Sequence, residues 1–245
     1  SIKKPEDFAN AQKVTEEAYK HIRDAVGYLE AQAEAIKASP TLVEPRARMI
    51  YDAAWGARLL AEPEVAATRS AIALEAQKKL NAPSAKFPIP EIPIEKVPVQ
   101  PSEKRARGLY KLLIDQAGDL PIGTEARFEL AEMLAERNEF DPAIQLLTDV
   151  LDKEPSPEMT EKTRLRLGGI HAAKGNTKIA LTQFNAVASN PKSPLFGWAN
   201  YRAAEALIKE QQYGDAIKRL VMFRDNGTWN NVPGLSDRAL LRLGY

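Results

Sequence analysis

From residue 103 onward the chain repeats itself, and that period constrains the fold more than anything else in it. Ala131 and Ala143, Gly168 and Ala180, and Ala204 and Ala216 are three pairs of small residues, each pair 12 apart. The pairs recur every 36 or 37 residues, and a last small residue, Gly244, follows Ala204 by 40. Ala106 stands 37 before Ala143, which extends the pattern backwards. Two helices of a hairpin approach closely only where both carry small side chains, and a spacing of 12 places such a contact on each side of a short turn. Large apolar residues follow in register: Leu147, Phe184 and Leu220 lie four after each alanine, and Val150, Val187 and Phe223 lie seven after it. This is the 3.6-residue period of a helix with one apolar face. Asn138 to Pro142, Gly175-Asn176 and Tyr213-Gly214-Asp215 supply turns, and Pro155 and Pro191 close second helices.

These stretches resemble the tetratricopeptide repeat, with its small residue in the first helix, its alanine and large residue in the second, and its closing proline. The resemblance covers 103–245: a partial unit, three full repeats at 124–155, 161–191 and 197–225, and a truncated last helix from residue 237. It implies an all-α fold, a right-handed α-solenoid of helical hairpins. The long period and the loop Ser189 to Pro194 are similar in style to tetratricopeptide proteins of bacterial cell envelopes. Where the family places an early bulky aromatic, this chain has Arg127, Arg164 and Asn200. His171 stands where an aromatic is common and reads as a packing residue.

Residues 1–81 read as an N-terminal helical region. Phe8, Ala11, Val14, Ala18, Ile22, Ala25, Leu29 and Ala33 mark one face of a long helix over 5–38. A helical hairpin follows. Its first helix runs from Pro45 to about Leu60 with Met49, Ile50, Ala53, Ala54 and Leu60 inward. Its second starts at Pro63, a residue that suits a first helical position. Residues 82–102 change character. Six prolines (83, 88, 90, 93, 98 and 101) forbid a helix, while Phe87, Ile89, Ile92, Ile94, Val97 and Val99 alternate with them. A solvated spacer has little reason to carry six large apolar residues, so an extended strap lying on helices is expected over a stiff linker.

Composition narrows the function. The formal net charge is +1, from 34 basic and 33 acidic residues, which is unlike a chain built to hold nucleic acid. The absence of cysteine excludes thiol catalysis, disulfides and cysteine-based zinc sites. With only His21 and His171 there is no histidine pair for a zincin-like helix, and no phosphate loop or nucleophile elbow is present. No catalytic, cofactor-binding or metal-binding residues are assigned, and no cofactor is expected. No apolar run is long enough to span a membrane. The abrupt ends at Ser1 and Tyr245 suggest a piece of a longer protein, from which a targeting segment could have been removed. An apolar truncated last helix then favours weak self-association.

The resemblance implies a concave groove lined by first helices, binding a protein or peptide. Groove positions are Glu125, Phe128, Glu132 and Glu136 in the first repeat. They are Lys162, Leu165, Gly169 and Ala173 in the second, and Trp198, Tyr201, Glu205 and Lys209 in the third. Some members of the family clamp acidic C-termini with lysine and asparagine. Those positions here hold Phe128, Leu165 and Tyr201, then Glu132, Gly169 and Glu205, so that clamp is absent. Arg166, Arg202 and Arg242 share one register and form a ladder suited to carboxylates. Arginine also suits a solvated helix face there. Trp198 and Tyr201 read either as anchors for a partner or as packing residues. The function expected is a non-catalytic interaction scaffold assembling protein complexes in the periplasm or envelope, with a cytoplasmic setting as the alternative. The rival functions are an enzyme sited between the N-terminal helices and the array, and an RNA-binding helical repeat.

Overall fold

The computed structural model describes residues 5–79 and 90–244, with side chains from residue 13 onward. The described residues form helices α1 (Pro5–Ala35), α2 (Val43–Lys79), α3 (Pro101–Ala117), α4 (Pro121–Glu136), α5 (Phe140–Asp152), α6 (Pro157–Ala173), α7 (Thr177–Ala188), α8 (Phe196–Lys209), α9 (Tyr213–Leu220), α10 (Met222–Asp225) and α11 (Ser236–Leu243), with a 3-10 turn at Ile94–Lys96. The architecture is all-α, a succession of helical hairpins of the α-solenoid type, and it divides into two compact units, residues 1–139 and 140–245. The boundary follows Glu139, whereas composition divides the chain at residues 82 and 103.

In the first unit, α1 packs on α2 and α2 on α3. Among the described side chains of α1, the buried ones lie in its C-terminal half. Val26 and Ala33 are buried, whereas Val14, Ala18 and Ala25, expected inward, are exposed. The apolar stripe was drawn through alanines that suit any helix face, and it missed Val26, one residue off that line. Gly56 is the close-approach point: a Cβ there would lie 2.7 Å from Val26 Cγ2. Phe8 and Ala11 lie outside the described side chains. Arg46 Nε donates to the Ala33 carbonyl at 3.0 Å and so satisfies a free carbonyl at the end of α1.

The expected hairpin at 45–80 is one continuous helix. Pro63 sits inside α2 rather than starting a new helix. A proline costs a helix one hydrogen bond and a clash with the carbonyl four residues back. Here both halves are held by neighbours. Ala47, Ile50, Ala53, Ala54 and Ala57 are buried in the N-terminal half. In the C-terminal half, Glu64 accepts from the Ser102 backbone N–H (3.0 Å) and hydroxyl (2.6 Å) at the start of α3.

The described part of the proline-rich segment, residues 90–100, lies on α2. Ile92 and Val97 are buried against Ala73. Arg69 Nε donates to the Ile92 carbonyl at 2.6 Å, and Thr68 Oγ1 donates to Gln100 Oε1 at 2.9 Å. Residues 82–89, including Phe87 and Ile89, fall outside the described residues. Arg137, buried at the end of α4, donates to the carbonyls of Val97 (2.5 Å), Ile94 and Pro98 (both 3.3 Å) and forms an ion pair with the buried Glu103. Backbone acceptors that proline spacing leaves without sheet partners are thus satisfied by one guanidinium.

The repeat chemistry is written into the helix ends. Glu139, Asn176 and Gln212 donate their backbone N–H groups to the carbonyls of Leu134, His171 and Leu207, five residues back, at 2.9, 2.8 and 2.9 Å. This is a Schellman-type end, and the residue before each donor is left-handed: Asn138 (φ 60), Gly175 (φ 81) and Gln211 (φ 59). In the second unit, Ala180, Ala204 and Ala216 are buried, as are Leu147, Phe184, Leu220, Val150, Val187 and Phe223. Gly168 meets Phe184: a Cβ at Gly168 would lie 2.6 Å from Phe184 Cδ1. The missing early aromatics are replaced by polar pairs across the hairpin. Arg164 Nη1 donates to Gln183 Oε1 at 3.2 Å, and Arg219 Nη1 donates to Asn200 Oδ1 at 2.9 Å. After α10, the chain returns to place Trp229 on Gly197, with its ring 5.6 Å from that of Phe196.

Candidate partner-binding groove

Three first helices of the second unit, α6, α8 and α11, contribute to one cleft of about 520 Å³. Gly169, Ala172 and Ala173 come from α6, Arg202, Glu205, Ala206, Ile208 and Lys209 from α8, Phe184 from α7 and Arg242 from α11. The cleft exists because the positions facing it on α6 are small. Glycine and alanine leave a trough where the larger side chains of α8 and α11 project.

Its polar centre is Glu205. Tyr201 Oη donates to Glu205 Oε1 at 3.0 Å, Arg202 Nη1 donates to Oε2 at 3.0 Å, and Arg242 Nη2 reaches Oε1 at 3.4 Å. The spacing explains the meeting: Tyr201 and Glu205 are four apart on α8, Arg202 and Glu205 three apart, and Arg242 stands on the next first helix. Tyr201 is 4% exposed and does not itself line the cleft; it acts there through its hydrogen bond to Glu205. Burial and then the neighbouring Glu205 raise the Tyr201 hydroxyl above its ordinary pKa. The Tyr201 hydroxyl and then the Glu205 charge raise that of Arg242. Both shifts favour the protonated form, so the Tyr201 hydroxyl stays neutral and Arg242 stays charged at neutral pH. Arg202, Lys209 and Arg242 against Glu205 leave an excess of two positive charges.

The structure thus brings together Tyr201, Arg202, Glu205 and Arg242 of the sequence-expected residues. Trp198 is half-buried, with its ring 6.4 Å from that of Tyr201 and nearly perpendicular to it, at the edge of the core that Leu220, Phe223 and Leu235 build. Leu165 packs against Phe184 and Ala206. Arg166 is half-buried on α6 and does not line the cleft. Phe128 and Glu132 lie half-buried on α4 in the first unit. There, Glu129 and Glu136 of the same stripe are engaged by Arg58 of α2, the second at 2.6 Å. Burial, with Glu129 and Glu125 nearby, pushes the Tyr51 hydroxyl up to about 12. Sequence reasoning did not assign Ala172, Phe184, Ala206 or Ile208 to the groove. Phe184 carried a packing signal only, and the others lie beside positions the register did select.

No group of three or more metal-ligating side chains occurs among the described residues. No helix among them is long and apolar enough to cross a membrane.

A helical-hairpin array of this kind is a fold that supports protein-interaction scaffolds in general. More narrowly, residues 93–195 match the model of the tetratricopeptide repeat-like domain, so this stretch is similar to that family. Among solved structures, a kinesin light chain from Podosopora anserina with nearly identical TPR-like repeats is similar in fold, with a TM-score of 0.55 at 14% identity over 91% of this chain and 96% of that one. Pseudomonas aeruginosa pilF aligns with a TM-score of 0.48 at 15% identity, over 91% of this chain and 84% of that one. No curated protein sequence matches the chain.

Proposed function

We propose that the chain is a non-catalytic scaffold that holds a partner protein in the cleft of α6, α8 and α11, and that it acts in the assembly of bacterial envelope complexes as part of a longer repeat protein. The observation that carries the binding reading is the arrangement at Glu205. Two arginines from successive first helices converge on one carboxylate at the rim of a trough floored by glycine and alanine. Charged groups that converge in a concave site select a partner and its orientation. The envelope setting rests on the long repeat period and its resemblance to envelope tetratricopeptide proteins. The division into N-terminal helices (1–81), strap (82–102) and repeat array (103–245) assigns recognition to the array. Trp198 and Tyr201 support the groove wall, Arg166 and Leu165 extend the recognition surface along α6, and Phe128 and Glu132 are recognition residues of the first unit by itself. Leu241, 75% exposed on α11, supports weak self-association through the last helix.

The test is capture of partners from an extract of the source cells by the full chain and by an Arg202→Gln/Arg242→Gln variant, with equal folding checked by circular dichroism. A protein retained by the parent and lost from the variant supports the reading. Equal retention by both places binding outside this cleft.

A further inference from the structure

The carboxylate of Glu205 stands where a ligand carboxylate would stand. Its Oε1 accepts from Tyr201 and Arg242, and its Oε2 accepts from Arg202. The Glu205 side chain is 23% exposed, whereas Arg202 and Arg242 are 48% and 56% exposed. A guanidinium has five donors, and the bonds to Glu205 use one from each. The Arg202 guanidinium also lies over the Tyr201 ring, 6.0 Å from its centroid, and both arginines remain about half exposed. We infer that the cleft takes an extended acidic peptide segment, whose side-chain carboxylate replaces Glu205 between Arg202 and Arg242, and that Glu205 is an internal ligand holding the site self-occupied until then. This inference rests on the cleft being the recognition site proposed above.

Three observations fix the occupant. The excess of two positive charges from Arg202, Lys209 and Arg242 over Glu205 selects an anion. The trough floor of Gly169, Ala172, Ala173 and Ala206 leaves room for a peptide main chain to lie close to α6 and α8. Ile208, half-buried at the cleft, adds an apolar wall, which a free inorganic anion would leave unused. An acidic side chain flanked by small apolar residues meets all three. The internal carboxylate also explains why two arginines can sit close together: Glu205 relieves their mutual repulsion and holds their forks in place. A ligand acid that approaches must overcome the Glu205 charge, so self-occupancy sets a threshold for how acidic the segment must be.

Substitution at Glu205 separates this arrangement from a purely structural ion pair. Glu205→Gln keeps an oxygen for the Tyr201 hydroxyl and removes the negative charge. If Glu205 were only a brace for the arginines, losing it would weaken any ligand. If it is a competitor, losing its charge strengthens an acidic one. The probe is a fluorescein-labelled, C-terminally amidated peptide of alternating Glu and Ala, with a Lys-Ala peptide beside it, read by fluorescence anisotropy on the full chain at low ionic strength. Expected are binding of the Glu-Ala peptide and none of the Lys-Ala peptide. Affinity should tighten about fivefold in Glu205→Gln and fall at least about tenfold in Arg202→Gln/Arg242→Gln. Lys218→Gln, which removes one cation from the exposed face of α9, should leave binding within about twofold. Thermal melts by circular dichroism check that each variant is folded. The inference is overturned if the Glu-Ala peptide does not bind, if Glu205→Gln leaves affinity unchanged or weaker, or if the arginine variant behaves like Lys218→Gln. Should the peptide fail while the extract capture still depends on Arg202 and Arg242, the self-occupied acidic-peptide site falls and the scaffold reading stands.

Discussion

Gly168 and Gly169 are adjacent on α6, and the packing predicts opposite effects for alanine at each. A Cβ at Gly168 would lie 2.6 Å from Phe184 Cδ1, inside any contact that real side chains make. Phe184 is 1% exposed and packs with Ala180, Ala203 and Ala206, so its ring can shift only at a cost to that packing. Overpacking of this kind costs about 1–3 kcal/mol. Replacing a helical glycine by alanine returns about 0.5–1 kcal/mol of backbone entropy. The balance for Gly168→Ala is a loss of about 1–2 kcal/mol, a fall of roughly 2–8 °C in melting temperature for a chain of this size. A Cβ at Gly169 meets nothing within 4 Å, so Gly169→Ala should keep the entropic gain of about 0.5–1 kcal/mol. The assay is urea unfolding followed by circular dichroism, with the pair Gly168→Ala and Phe184→Leu completed as a double-mutant cycle. The two changes should be coupled by about 1 kcal/mol, because the smaller leucine makes room for the new methyl. A neutral Gly168→Ala, or a cycle with no coupling, would refute the claim that this small residue exists to admit the aromatic of the second helix.

Three further outcomes follow from the same geometry. Arg137→Ala should destabilise the chain by about 3 kcal/mol, since it strips a partner from the buried Glu103, and it should speed hydrogen exchange in residues 94–98; unchanged exchange there would mean the strap is held by its apolar contacts alone. His171 has its pKa lowered below 6.5 by burial and then by Lys174, so the unfolded chain binds the proton more readily; stability present above pH 6.5 should be lost as pH falls through and below that value, and His171→Gln should remove that part of the slope in urea midpoints measured across the window. Gln211 holds a φ of 59 where the preceding repeat has Gly175, so Gln211→Gly should stabilise by about 0.5–1 kcal/mol in thermal melts, and a loss would show that the Gln211 side chain makes a stabilising contact.

Much of the fold is legible in the sequence where periodicity and chemistry coincide. The pairs Gly168–Ala180 and Ala204–Ala216, together with the large residues four and seven positions on, are buried as their spacing requires. Of the six apolar residues among the prolines, Ile92 and Val97 are buried on α2 and Val99 is exposed, while Phe87 and Ile89 lie outside the described residues. Local rules failed where tertiary contacts outweigh them. Pro63 reads as a helix start, but Glu64, Thr68 and Arg69 tie the following turns to residues 92–102 and keep α2 continuous. Val14 and Ala18 lie on a helical stripe, yet both are exposed among the described residues. At the groove, register located Glu205, Arg202 and Arg242 on successive first helices. It could not show that they share one hydrogen-bond network, because the contact depends on where α11 lies against α8. Arg164 and Asn200 stand where the family has early aromatics, and sequence alone does not show what they contact. Their partners Gln183 and Arg219, each 19 residues later, make with them a repeated polar pair across the hairpin.

The most direct test of the scaffold account is site-specific photo-crosslinking in the source cells. A benzophenone side chain replaces Ala173, which is exposed and lines the cleft, and in a parallel chain it replaces Ile179, exposed on α7 and outside the cleft. The account predicts a discrete adduct with one partner protein from position 173, none from 179, and loss of the 173 adduct when Arg202→Gln/Arg242→Gln is added. The same adducts from both positions, or none from position 173, would contradict it.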